Sequence, residues 1–192
     1  MMPVKIILAS SSPRRKELLD QIKVTYDVCP VDIDETPLPD EQPLDYVQRL
    51  AAEKSAACRA QLNTEIPVLA ADTAVILGPV IMGKPKDKAD ALAMLSQLSG
   101  KTHQVYSAVS LRWREHSQAV SITEVTFRRL TEREILNYWH TGEPVDKAGG
   151  YAIQGMGGVF VESIKGSFSG VVGLPLFETA ELFSKQGIEL FK

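Results

Sequence analysis

At 192 residues, with 44% apolar and 23% charged side chains, the chain has the length and balance of one globular domain, or one domain of two lobes, and not of a disordered chain. Its 21 basic and 24 acidic residues leave a net charge of -3, which argues against broad nucleic-acid or anionic-membrane binding and leaves room for a local basic pocket. Cys29 and Cys58 are too few for a secreted disulfide framework and lack metal-ligand spacing, so they read as reduced thiols of a cytoplasmic protein. No apolar run reaches the roughly 18 residues of a membrane helix.

Residues 4–9 predict a buried strand ended by a serine cluster. Ser12 and Pro13 then supply a helix N-cap and a proline at the first helical position, with Leu18, Leu19 and Ile22 on the apolar face of a helix over 13–22. Residues 25–31 predict a second strand, and the proline- and acid-rich residues 32–43 a loop. A helix follows over 44–62, with Val47, Leu50, Ala51, Ala57 and Cys58 at helical spacing. Residues 68–77 form a nearly continuous apolar strand interrupted by Asp72 and Thr73, and 83–85 a turn. Residues 89–98 predict a helix capped by Asp87 and stopped by Gly100.

The second half alternates differently. Val105, Ser107, Val109, Leu111 and Trp113 mark a strand with unequal faces, and 120–130 its antiparallel partner. Thr131 and Glu134 form a capping box for a helix that ends at Gly142. Residues 148–158 are glycine-rich, 159–164 a strand and 175–186 a closing helix. Alternating strands and helices followed by paired strands indicate a mixed α/β fold, with residues 1–192 as a single domain.

Three places break local sequence logic. A helix N-terminus carries partial positive charge and unpartnered N–H groups, so acids belong there, yet Arg14, Arg15 and Lys16 follow Ser10, Ser11 and Ser12. Either an anion sits there, or the arginines pair with nearby acids in solvent. Asp72, set among apolar strand residues, must meet a cation, a metal or several donors, unless its sheet face is exposed. Lys54 lies on the apolar stripe of its helix, where it either snorkels outward or points at an anion. Glu35, in an acidic loop, is either solvated or a second carboxylate for a metal, and Lys84 in its turn reads alone as a surface lysine. Taken together, several cations, a lone carboxylate and a helix N-terminus fit a polyphosphate substrate with a divalent metal.

Other chemistries find little support. His103, His116 and His140 have no partner at metal-ligand spacing, and no histidine sits beside a candidate nucleophile. There is no Walker A sequence and no dinucleotide loop.

The ordered set 8–15, Asp34-Glu35, 49–54, Ala71-Asp72-Thr73, Gly83-Lys84-Pro85, 146–149, 151–155 and 172–175 resembles the Maf family of nucleotide pyrophosphatases over nearly the whole chain. That resemblance implies hydrolysis of nucleoside triphosphates between the α- and β-phosphates, with a divalent metal (Mg2+, Mn2+ or Co2+). It also implies a fold like that of the inosine-triphosphate pyrophosphatases: an elongated mixed sheet flanked by helices, two lobes around a central cleft, and a homodimer. Arg14, Thr73 and Gln154 match the subgroup acting on dTTP and UTP, whereas the subgroup acting on 7-methyl-GTP carries other residues there. Ala71 and Ala152 stand where glycine is frequent in the family.

The implied roles follow from the same resemblance. Asp72 activates water, directly or through the metal it helps to hold, and Glu35 is the second metal ligand, with Asp146 the other candidate. Arg14, Arg15, Lys54 and Lys84, with Ser10, bind the triphosphate. Gln154 suits the O4/N3–H edge of uracil or thymine, and Thr73 lines the base pocket or a phosphate. Two alternatives stay open: a house-cleaning hydrolase of modified or purine nucleotides, and a nucleotide-binding regulator of septum formation.

Overall fold

Aliphatic runs in the sequence become the strands of one seven-stranded mixed sheet, flanked by helices. The computed structural model describes residues 5–191. Val4, the first residue of the expected opening strand, lies outside them. The chain divides into two units: residues up to 72 with 107–121 and 173 onward, and residues 73–106 with 122–172.

In the first unit, β1 (Lys5–Leu8) pairs in parallel with β2 (Thr25–Val28), Lys5 opposite Thr25, and with β3 (Val68–Leu77), Ile7 opposite Val68. β2 is shorter than the expected 25–31. Its pairing continues through the Cys29 N–H, which donates to the Leu8 carbonyl at 3.0 Å, and Pro30 then has no N–H to offer. The helix α1 (Pro13–Gln21) starts on its proline and buries Leu18 and Leu19. The long α2 (Pro43–Leu62) ends on Asn63 in the left-handed region, and its face of Tyr46, Val47, Leu50, Ala51, Lys54, Ser55 and Cys58 is buried. Ile7, Ala9, Cys29, Cys58, Val68 and Ala70 form one core cluster, in which both thiols are free. The closing helix α6 spans Leu176–Lys185.

In the second unit, a short β4 (Val80–Met82), not expected from the sequence, turns back antiparallel onto the end of β3, with Val75 opposite Met82. The helix α3 (Lys88–Leu98) has its cap where the sequence put it, the Asp87 carboxylate accepting from the Asp90 N–H at 2.8 Å. β5 (Thr102–Arg112) and β6 (His116–Phe127), whose residues 107–112 and 116–121 belong to the first unit, are neighbours joined by three residues, a connection too short for any but antiparallel pairing. Both halves of the capping box are present at α4 (Glu132–His140). β7 (Val161–Lys165) begins later than expected, because residues 156–160 wind into a 3₁₀ turn that buries Phe160. A five-residue helix, α5 (Phe168–Val172), follows.

The second unit's core gathers Leu95, Leu98, Phe127, Tyr138, Tyr151 and Phe160, largely edge-to-face. His103 is part of it, 2% exposed, with Nε2 2.7 Å from the Tyr151 hydroxyl. The whole sheet reads β2-β1-β3-β5-β6-β7, with β4 on β3. Among the described residues no helix is long and apolar enough to cross a membrane.

Candidate functional site

The two positions that sequence logic marked as misplaced meet each other. Lys54 is 9% exposed on the inner face of α2, Asp72 6% exposed on β3, and Nζ lies 2.7 Å from Oδ1. Lys54 therefore does not snorkel and Asp72 does not face solvent. The same ammonium is 2.7 Å from Glu35 Oε1, whose side chain is about half exposed, so one cation bridges a buried and an accessible carboxylate. Burial raises the proton affinity of Asp72 above the ordinary aspartate range, against the pull of Lys54 and Arg15.

Glu35 is held there by α2. The Tyr46 hydroxyl donates to the Glu35 carbonyl at 2.9 Å, and Arg49 Nη2 donates to the next carbonyl, that of Thr36, at 3.2 Å. Arg49 also grips Glu41 with a fork, Nε to Oε1 at 2.6 Å and Nη2 to Oε2 at 2.8 Å. Glu41 Oε2 in turn accepts from the Leu38 N–H at 2.9 Å. The loop over 32–42 is thus pinned on consecutive carbonyls, which aims the Glu35 side chain at Lys54. No local signal in the sequence marks Tyr46 or Arg49 for this task, although Arg49 opens one of the motif segments.

The start of α1 has no acid in its first turn. Ser12 occupies the N-cap position, but its hydroxyl makes no capping bond, which corrects the expectation from the sequence. Its own N–H instead donates to Ser10 Oγ at 3.1 Å. Arg15 donates through Nη1 to Ser10 Oγ at 3.3 Å and through Nε to the Gly173 carbonyl at 2.8 Å. Gly173 has a positive φ of 133°, and nothing local in the sequence marks it as the partner of Arg15. Burial lowers the Arg15 pKa, opposed chiefly by the charge of Asp72 and aided by that of Arg14; Glu35 also opposes it. Ser10, Arg15, Glu35, Lys54 and Asp72 therefore share one neighbourhood, with Arg14 half-buried beside Arg15.

The second unit carries Thr73, Lys84 and Gln154. Thr73 follows Asp72 directly in β3, half-buried. Lys84 is exposed in its turn, which is tied down by the Gly149 N–H donating to the Gly83 carbonyl at 3.0 Å. Gln154 is exposed in a turn closed by the Gly155 N–H on the Ala152 carbonyl at 3.2 Å. Asp146 pairs with the Lys147 ammonium.

Of the histidines, His116 has Nε2 2.9 Å from Ser110 Oγ. Ser110 is fully buried and its Oγ lies 2.8 Å from Ser55 Oγ, so it is not a candidate nucleophile.

Among the described residues no group of three or more His, Cys, Asp or Glu side chains could hold a metal. Glu35 and Asp72 nevertheless converge on a single cation position, at 2.7 Å each from Lys54 Nζ. Two hard carboxylates suffice for Mg2+ or Mn2+, which usually complete their shells with water and substrate phosphates instead of a protein cage. In chemistry the two carboxylates fit such an ion, and in this structure they meet the Lys54 ammonium.

Residues 5–186 match the family model described as Maf-like protein. The chain is 51% identical over 200 residues to the dTTP/UTP pyrophosphatase of Pasteurella multocida (strain Pm70), covering 100% of both chains. It is 50% identical over 186 residues to the protein of the same name from Methylococcus capsulatus (strain ATCC 33009 / NCIMB 11132 / Bath), covering 96% of this chain and 92% of that one. Among solved structures, the Staphylococcus aureus Ham1 protein is similar with a TM-score of 0.47 and 19% identity, over 64% of this chain and 71% of that one.

Proposed function

The chain belongs to the Maf family, and on that premise we propose that it hydrolyses dTTP and UTP to the nucleoside monophosphate and pyrophosphate. Membership and the relatives' names support the reaction class and the substrates. The observation that carries the assignment of a centre is the buried Asp72 held by Lys54, with Glu35 on the same ammonium. The family match over residues 5–186 supports reading the chain as one domain, and its free thiols support a reducing, cytoplasmic compartment.

Asp72 takes the proton from an attacking water. An ordinary aspartate is a weak base at neutral pH, but burial moves this one in the useful direction. The water oxygen bonds to the α-phosphorus, the bond to the bridging oxygen breaks, and pyrophosphate leaves with the bonding pair. Arg14, Arg15, Lys54 and Lys84 offset the charge of the triphosphate and of the departing pyrophosphate, and Ser10, in contact with Arg15, offers its hydroxyl to the phosphate oxygens. Glu35 and Asp72 would hold a divalent ion, which supplies charge neutralisation and acidifies bound water when present. Gln154 reads the O4/N3–H edge of the pyrimidine, an edge cytosine reverses, and Thr73 lines the same substrate.

The test is a panel of nucleoside triphosphates assayed for pyrophosphate release, with and without chelator. Preference for dTTP and UTP, lost on chelation and restored by Mg2+ or Mn2+, is expected. A preference for purine triphosphates, or nucleotide binding with no turnover, sinks the reading.

A further inference from the structure

Gln154 stands on a segment whose backbone is folded around one carboxylate. Glu143, in the 3₁₀ turn after α4, accepts from the Met156 N–H at 2.9 Å through Oε1 and from the Gly157 N–H at 2.9 Å through Oε2. Its Oε2 also accepts from the Tyr138 hydroxyl, and that hydroxyl oxygen accepts in turn from the Ala152 N–H at 3.1 Å. The residue two before Gln154 and the residues two and three after it are all anchored to this one acid.

The glycines are the counterpart of that wrapping. A Cβ at Gly155 would lie 1.9 Å from Glu143 Oε1, and one at Gly157 would lie 2.6 Å from the Tyr138 hydroxyl and 2.8 Å from the Ala152 carbonyl. The backbone approaches the acid more closely than any side chain allows. Tyr138 is itself buried against Phe160, so the anchor rests on the packed core of its unit. Burial opposes ionisation of Glu143, but the Tyr138 hydroxyl, the two amides and Lys147 hold its carboxyl below the usual glutamate range.

We infer that Glu143, acting through Tyr138 and the amides of Met156 and Gly157, is a positioning residue that fixes Gln154 for reading the pyrimidine edge and so sets discrimination between uracil and cytosine. The inference rests on the proposed role of Gln154 in base reading. A reader with one donor and one acceptor discriminates only while its backbone is held, since an ångström of misplacement costs on the order of a hundredfold in a positioned reaction.

Steady-state kinetics with UTP and CTP on five proteins decide it: wild type, Glu143→Gln, Glu143→Asp, Tyr138→Phe and Gln154→Ala. Glu143→Gln puts an NH2 where two acceptor oxygens face three donors. It is expected to lower the UTP-to-CTP ratio of kcat/KM about tenfold or more, through KM for UTP, with kcat on UTP within about threefold of wild type. Tyr138→Phe is expected to shift the ratio in the same direction by a smaller factor, and it decides alone if Glu143→Gln does not fold. Glu143→Asp, which keeps the charge, should recover part of the ratio. If both variants keep the wild-type ratio while Gln154→Ala loses it, the positioning role is overturned and the base-reading role stands. If Gln154→Ala also keeps it, base reading fails and takes this inference with it.

Discussion

Lys54 and Asp72 neutralise each other inside the protein, 18 positions apart in sequence and 2.7 Å apart in space. Their loss is not symmetric. Removing the ammonium leaves a buried carboxylate short of its main cation, whereas removing the carboxylate charge leaves Lys54 still paired with Glu35. Lys54→Met is therefore expected to destabilise the fold by about 3 kcal/mol or more, and Asp72→Asn by much less. Both should lose pyrophosphate release. The double variant should recover most of the stability lost in Lys54→Met. Urea unfolding of the three proteins measures this, and equal midpoints for the two single variants would contradict it.

Arg49 holds the acidic loop by geometry as well as by charge, through its fork on Glu41 and its bond to the Thr36 carbonyl. Lysine keeps the charge but not the fork. Arg49→Lys is expected to cost about 2 kcal/mol, on the scale of hydrogen bonds to charged groups. It should also weaken activation by Mg2+ severalfold, because Glu35 loses its fixed aim. Titration of activity against Mg2+ checks this; an unchanged midpoint would separate the loop from the metal.

His103 gives the fold a pH dependence of definite sign. Burial pushes its pKa down to about 4 from 6.5, so between those values the unfolded chain takes up a proton that the folded chain refuses. Stability from this group is full above pH 6.5 and falls as pH drops toward 4, by on the order of 3 kcal/mol at most. Urea midpoints measured across that window should decline. His103→Leu should remove the corresponding part of the slope, whatever its effect on stability at neutral pH.

Gly149 ties the Lys84 turn to the second unit's core. It sits at φ 69°, and a Cβ there would lie 2.8 Å from Val75 Cγ2. Gly149→Ala is expected to cost about 2 kcal/mol from backbone strain and overpacking. It should also raise KM for UTP, since the bond to the Gly83 carbonyl positions Lys84. Lys84→Met should raise KM without the loss of stability, so comparing the two separates positioning from contact.

What the sequence made legible was whatever depends on neighbours along the chain. β3 follows its apolar run residue for residue, and the box of Thr131 and Glu134 closes as their spacing implies. Local signals also marked Lys54 and Asp72 as out of place. They could not say that each was the other's partner, because that depends on how α2 is set against β3. Ser12 looked like a capping residue, yet its hydroxyl makes no cap; the bond made at this corner runs from the Ser12 backbone N–H to Ser10 Oγ, which composition alone does not show. Glu143 gave no signal at all: a glutamate before a proline reads as surface, and only the folded path of 152–157 turns it into an anchor. The glycines at 155, 157 and 158 were visible as a cluster, but not the acid they surround.

One turn along α2 from the bridging ammonium, the Cys58 thiol is pushed up to about 12 by burial and by the neighbouring Cys29 thiol. Peroxides and alkylating agents attack the thiolate, and at neutral pH almost none of it exists here. The helix that carries Lys54 therefore presents a protonated thiol, not a thiolate, to such reagents.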